Sequence, residues 1–150
     1  MASRFFEDFS AGDEWTFEAW SVTESEIVAF AERYDPQPMH TDPEGAAAGP
    51  YGAVIASGWQ TALNTIAPFL GTVMRDAAAL ASPGLENFRW RKPVMSGDSI
   101  TPRIRVVDAR RSESKPDRGI VRFEFNALDG GGEPVWEAVA VFFISCRNPG

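Results

Sequence analysis

The chain has 150 residues, a hydrophobic fraction of 44% and a formal net charge of −7, which predict one folded domain over residues 1–150 with a sizeable core. The acidic balance excludes a general nucleic-acid-binding protein, because such proteins need a basic surface. The single cysteine, Cys146, excludes an internal disulfide and a thiolate metal site. It is expected in the core of a protein from the reducing cytoplasm.

The charge is unevenly distributed. Residues 1–75 hold 3 basic and 11 acidic groups, a net charge of −8, whereas residues 76–150 hold 11 basic and 10 acidic groups. The basic groups concentrate in segments 88–93, 102–105 and 109–118. A solvated sheet face is the preferred explanation of these segments, and a basic rim that meets an anionic ligand is the alternative.

Neither a leader nor a membrane span is expected. The N-terminal segment 1–15 is rich in acids and has no long apolar core, so it does not fit a signal peptide. The longest apolar tract, 53–70, is interrupted by five polar side chains, so it does not fit a membrane-spanning helix.

The first half of the chain predicts mainly helices. Residues 15–22 mix aromatic residues with alternation and predict a strand. Residues 23–35 predict a helix, which begins with a capping box of Thr23 and Glu26 and ends before Pro36. A loop over 36–53, with one helical turn at 43–48 capped by Asp42, leads to a long apolar helix over 55–70. A helix so apolar must be wrapped by other elements.

After residue 84 the apolar period changes to two. Four strands are predicted, over residues 85–94, 99–110, 119–129 and 133–146. The segment 129–132 (DGGG) predicts a hairpin turn. Helices followed by strands indicate an α+β domain, in which an antiparallel four-stranded meander curves round the central helix.

The loop after the first helix contains the only histidine. Asp35 lies five positions before His40, with Pro36 and Pro38 between them. The prolines restrict the unfolded loop, which lowers the entropy cost of holding an acid and an imidazole together. Spacing alone does not show that the two side chains meet, since five extended residues reach about 17 Å.

These segments resemble the MaoC-like family of hot-dog-fold dehydratases and (R)-specific enoyl-CoA hydratases. The family pattern, aromatic-x-(A/S/G)-D-x-N-P-x-H-x-D, agrees with residues 34–42 in the spacing of Asp, second Pro, His and last Asp. Two further matches are PYGAVIASGWQTA, ahead of and within the apolar helix, and LENFRWRKPVMSGDSI at 85–100, which is similar to the family's PVxxGD. The resemblance covers nearly the whole chain. It implies a single hot-dog domain, an antiparallel sheet wrapped round a long central helix.

The resemblance also implies an activity. Family members add water to enoyl thioesters or remove it from 3-hydroxyacyl thioesters. This chemistry needs a base that activates water, an acid that protonates C2 and a donor that stabilises the enolate. The catalytic residues expected by resemblance are Asp35 and His40, which share one water, and Gly58, whose amide meets the thioester oxygen at the start of the helix.

Three further residues are expected at the substrate site. Gln37 stands where the family usually has Asn and is expected to orient the loop. Ser57 stands where many members have His; it is expected first as an N-cap and second as a ligand contact. Trp59 is a candidate wall of the acyl pocket, although core packing is the preferred structural role. A serine of some hydratases is replaced here by Ile66.

The expected partner is an acyl-CoA thioester, whose coenzyme A is part of the substrate, and no other cofactor or metal is implied. Pairing into a homodimer or a higher homo-oligomer is expected, because a sheet of this kind leaves edges to cover. Two alternatives remain open: a hot-dog acyl-CoA thioesterase, and a non-catalytic acyl-CoA-binding subunit.

Overall fold

A computed structural model describes all residues 1–150. Four α-helices and five strands form the fold, after a short 3₁₀ helix at Phe6–Asp8. The helices are α1 (Glu24–Tyr34), α2 (Pro38–Thr41), α3 (Pro43–Ala47) and α4 (Gly58–Phe69), which continues as a π-helical turn over Leu70–Met74. The strands are β1 (Glu14–Thr16), β2 (Ala79–Trp90), β3 (Thr101–Arg111), β4 (Arg118–Leu128) and β5 (Pro134–Ser145). The predicted hot-dog architecture is confirmed.

All five strands join one antiparallel sheet in the order β1-β3-β4-β5-β2. The predicted four-stranded meander is therefore wrong at one strand, because β2 pairs with β5 and not with β3. The segment 91–100 crosses from one edge of the sheet towards the other, so it is no hairpin. Alternating side chains predict a strand and its buried face, but they do not predict which other strand it pairs with.

The core lies between α4 and the concave face of β3, β4 and β5. Phe69 at the end of α4 meets Phe123 and Phe125 of β4 edge to face, with ring centroids 5.0 and 5.5 Å apart. Phe123, Phe125 and Val121 are all buried, as the alternation in β4 predicts. Cys146 is also buried, as predicted.

The central helix begins later than predicted, and its π-helical turn carries it on to Met74. It begins at Gly58, whereas Ile55 forms a bridge with Met95. Its buried face contains the short polar residues Thr61 and Thr65 beside Phe69, and Trp59 faces outward. The helix is thus wrapped on one side only. None of the helices has the length and apolar character needed to cross a bilayer.

Candidate active site

Helix α1 delivers Asp35 to the site. Thr23 and Glu26 form the predicted capping box, with the Thr23 hydroxyl 3.2 Å from the amide of Glu26. The helix ends at Asp35, whose amide still donates to Ala31 while its own backbone leaves the helical region before Pro36. The Asp35 side chain therefore projects from the end of α1 towards the next loop.

The loop does not stay extended after Asp35. Residues 38–41 form the short helix α2, with Pro38 at its first turn, where a missing amide hydrogen costs nothing. This turn brings His40 back towards α1. Asp42 then caps α3 through the amide of Gly45, as predicted.

The side chains of Asp35 and His40 meet directly. His40 Nε2 lies 3.3 Å from Asp35 Oδ2, and His40 is 97% buried (relative exposure 3%). The opposite ring nitrogen, Nδ1, lies 2.6 Å from the carbonyl oxygen of Ile55. Because a carbonyl can only accept, Nδ1 carries a hydrogen and Nε2 is left to exchange a proton beside Asp35.

Three groups surround the Asp35 carboxylate. Gln37 Nε2 donates to Oδ1 at 2.7 Å, Ser57 Oγ donates to Oδ2 at 2.7 Å, and His40 faces the same Oδ2. Burial raises the pKa of Asp35, but the hydrogen bonds from Gln37 and Ser57 and the nearby imidazole outweigh it, so the net pKa is lowered. The carboxylate is therefore ionised at neutral pH.

Gly58 occupies the first position of α4. Ser57 is the N-cap, as predicted, and its Oγ accepts the amide of Trp59 at 3.2 Å. The Gly58 amide has no acceptor within the chain and lies at the positive end of the helix. A Cβ at Gly58 would lie 2.3 Å from Trp90 Cε2, so the indole packs directly on this glycine.

A cavity of about 390 Å³ connects these groups. Asp35, His40, Gly58, Gln37 and Trp59 all line it. Ser57 does not: it is fully buried behind Asp35, with 0% of its surface exposed. Trp59 is 52% exposed and contacts Phe88 at a tilted angle and Trp90 edge to face, so the core role preferred for it is wrong. A tryptophan in an apolar helical repeat is typical of a core residue. Here the sheet packs against a different face of the helix, so Trp59 is left outside the core.

Sequence reasoning missed several residues of this cavity. Thr61, one turn into α4, and Trp90, at the end of β2, both line it. Arg91 and Lys92 follow Trp90 on the same wall, where they pair with Glu137 and Asp129. For Arg91 and Lys92, the sequence signal that could have pointed to this wall was the basic segment 88–93, in which both lie. The two other basic segments contribute no residue to this cavity.

Comparisons with known proteins agree on one family. The model of the MaoC like domain matches residues 8–124. A crystal structure of a MaoC-like dehydratase from Rhodospirillum rubrum is 34% identical, with a TM-score of 0.83 over 96% of this chain and 98% of that one. The 3-hydroxyacyl-thioester dehydratase Z of Mycobacterium tuberculosis is 35% identical over 95 residues, 61% of this chain and 62% of that protein. The (R)-hydratase from A. caviae shares the fold, with a TM-score of 0.73, 23% identity and coverage of 91% of this chain and 97% of that one.

Proposed function

Because the chain belongs to the MaoC-like domain family, we propose that it hydrates enoyl thioesters and, in reverse, dehydrates 3-hydroxyacyl thioesters. The observation that carries the proposal is the 3.3 Å contact between His40 Nε2 and Asp35 Oδ2 on the wall of a cavity that also reaches Gly58. The names of the dehydratase and hydratase relatives support the same class of reaction.

In the proposed hydration, one water in the cavity contacts both His40 Nε2 and the Asp35 carboxylate. Nε2 takes a proton from this water while the water oxygen adds to C3 of the enoyl group. The imidazolium that forms is stabilised by the ionised Asp35 beside it. The same proton is then delivered to C2, so the pair returns to its starting state and the net addition is one water.

The proposed role of Gly58 is to stabilise the enolate. Its amide has no acceptor within the chain and lies at the positive end of α4, so a thioester oxygen could accept from it as negative charge develops. Because Gly58 has no Cβ, the Trp90 indole packs directly beside its Cα, and we propose that this indole forms the wall of the thioester site next to the Gly58 amide.

The cavity wall supports an acyl-CoA substrate. Trp59 and Trp90 offer apolar surface for an acyl group, and Met39 of α2 also lines the cavity. Arg91 and Lys92 lie on the same wall, where we propose that they meet phosphates of coenzyme A. The reaction needs no cofactor beyond this coenzyme A.

We also propose a homodimer located in the cytoplasm. The strand β2 forms one edge of the sheet, and all its residues except Phe88 are exposed. Leu80 and Leu85 lie on this edge with about half of their surface exposed (48% and 50%). Pairing through such an edge would cover these side chains and unpaired backbone groups.

The test compares the wild type with Asp35→Asn and His40→Ala on trans-2-enoyl-CoAs of several chain lengths. Enoyl absorbance and free thiol are followed together. We expect hydration to fall by about 10²-fold or more in both variants. His40→Ala removes the group that takes and returns the proton, and Asp35→Asn removes the negative charge that stabilises the imidazolium. Asp42→Asn is the matched control: it removes a carboxylate from the same loop but keeps an N-cap of equal quality, so it should retain wild-type activity.

Two other results would redirect the assignment. Release of free thiol without hydration would indicate a thioesterase, in which water attacks the carbonyl carbon. Tight acyl-CoA binding with no change in the enoyl group at any chain length would indicate a non-catalytic binding subunit.

A further inference from the structure

A single buried hydroxyl links the carboxylate of the site to the helix that carries the proposed enolate donor. Ser57 Oγ donates to Asp35 Oδ2 at 2.7 Å and accepts the amide of Trp59 at 3.2 Å. Both contacts use the one hydroxyl group of a side chain with no exposed surface. The end of α1 and the start of α4 are thereby joined at one atom.

The hydroxyl fixes which carboxylate oxygen faces the imidazole. Oδ2 receives Ser57 and lies 3.3 Å from His40, while Oδ1 receives Gln37. A carboxylate held at both oxygens cannot rotate about its Cβ–Cγ bond without losing a hydrogen bond. Without the hydroxyl, only Gln37, itself exposed, would resist this rotation.

Ser57 itself is not placed to contact substrate. It does not line the cavity, its hydrogen is directed to Asp35, and its oxygen already accepts the Trp59 amide. Any effect of this side chain on the reaction must therefore pass through Asp35 and the first turn of α4.

We infer that Ser57 is a positioning residue, whose hydroxyl holds the Asp35 carboxylate in register with His40 and with the Gly58 amide. The inference rests on the proposed function for its kinetic consequences. Its structural content, the control of Asp35 by Ser57, can be measured without any turnover.

The inference predicts a pH effect. The Ser57 hydrogen bond favours the anion, and it is one of the contacts that lower the pKa of Asp35. The other titratable groups that line the cavity with Asp35 are His40, Tyr51, Arg91 and Lys92. None of them is altered when Ser57 is replaced, so loss of the hydroxyl should raise the pKa of Asp35.

The experiment uses Ser57→Ala and Ser57→Gly in the full chain. Glycine is tolerated at an N-cap with little loss of stability, so it removes the hydroxyl while sparing the helix, whereas alanine removes both. Ser57→Thr restores a hydroxyl. Thr23→Ala is the matched control, because it removes the N-cap of α1, the helix that carries Asp35, without touching the carboxylate.

On trans-2-enoyl-CoA we expect kcat to fall about 10- to 10²-fold in both hydroxyl-free variants, with a smaller change in KM. Ser57→Thr should recover kcat in part, and Thr23→Ala should leave kcat and KM unchanged. Wild-type kcat in Ser57→Gly would overturn the inference. So would an equal loss in Thr23→Ala, since a general loss of helix capping would then explain the effect.

A direct measurement separates this inference from the proposed function. The Asp35 carboxyl can be titrated by ¹³C NMR in wild type and in the Ser57 variants, with no substrate present. A higher pKa in Ser57→Gly supports the positioning contact even if the wild type hydrates no enoyl thioester. An identical pKa overturns it even if the enzyme is active.

Discussion

At the scale of single residues, a hydrogen bond to the backbone fixes the orientation of the His40 imidazole. Its Nδ1 is committed to the carbonyl of Ile55, at 2.6 Å, so only Nε2 faces Asp35 and the cavity. The acceptor is a backbone atom, and it is held by the bridge from Ile55 to Met95. A substitution at Ile55 would therefore leave the hydrogen-bond acceptor in place.

Gly58 offers a test at the same scale. In Gly58→Ala, the new Cβ would lie 2.3 Å from the Trp90 indole, so the indole or the helix start must move. Because the amide itself is retained, we expect a loss of kcat of about 10²-fold through misplacement rather than through loss of the donor. Steady-state kinetics on enoyl-CoA measures this.

Gly71→Ala is the control for Gly58→Ala. It lies in the π-helical turn after α4, and a Cβ there would meet no atom within 4 Å. Near-wild-type kcat in Gly58→Ala, or equal losses in both variants, would contradict the assigned role of Gly58.

The sequence indicated a restricted loop between Asp35 and His40, but it did not predict the distance between their side chains. Two prolines within the loop predicted a restricted segment. The closeness of the pair depends on the α2 turn, which shortens the path from Asp35 to His40. A four-residue helix gives too short a pattern to be read from apolar spacing.

At the scale of elements, α1 is the most directly sequence-determined helix. Its capping box and its stop before Pro36 are both local signals, and both are observed. Helix α4 is also apolar at helical spacing, but two of its apolar residues, Trp59 and Leu63, are about half exposed (52% and 50%). The sheet packs against the neighbouring face, where small side chains allow a close approach.

The capping box gives an element-scale prediction. Thr23→Ala removes the hydroxyl that accepts the Glu26 amide, and it should lower the free energy of unfolding by about 1 kcal/mol. For a domain of this size, that corresponds to a fall in Tm of roughly 2–4 °C. Urea denaturation and thermal melts measure the change. Ser21→Ala, an exposed substitution just outside the helix, should leave both values unchanged; the same loss in Ser21→Ala would remove the case for a capping role.

At the scale of the whole molecule, the two ends of the chain are tied together by charge. The Glu7 carboxylate accepts the backbone amide of Arg147 at 2.9 Å and faces the guanidinium of Arg111 at 3.3 Å. Asp8, the neighbouring acid, pairs with the Arg147 guanidinium. The Arg147 amide is the main reason that the pKa of Glu7 lies below its ordinary value.

This tie has a pH signature. A carboxylate with a lowered pKa in the folded state stabilises the fold above its unfolded pKa, about 4.3 for Glu, and this stability is lost as pH falls through the lower folded value. We therefore expect Glu7→Gln to melt at a lower temperature than wild type at pH 7, with the difference shrinking below about pH 4. The effect should be small, because the group is exposed.

Thermal melts between pH 7 and pH 3 check this prediction. Glu113→Gln makes the same change of charge in an exposed turn, and no shift of Tm is expected from it. A Tm difference for Glu7→Gln that is constant over the whole pH range would show that the ionised carboxylate is not the stabilising group.

The sequence by itself determined local features: the α1 cap, the four long strands, the Ser57 N-cap and the spacing of Asp35 and His40. These follow from contacts between near neighbours in the chain, which local patterns encode. Only the tertiary structure decided that β2 pairs with β5, that Trp59 faces a cavity, and that Ser57, 22 positions after Asp35, donates to its carboxylate. Those outcomes depend on which distant surfaces pack together, and the same local pattern is compatible with several such arrangements.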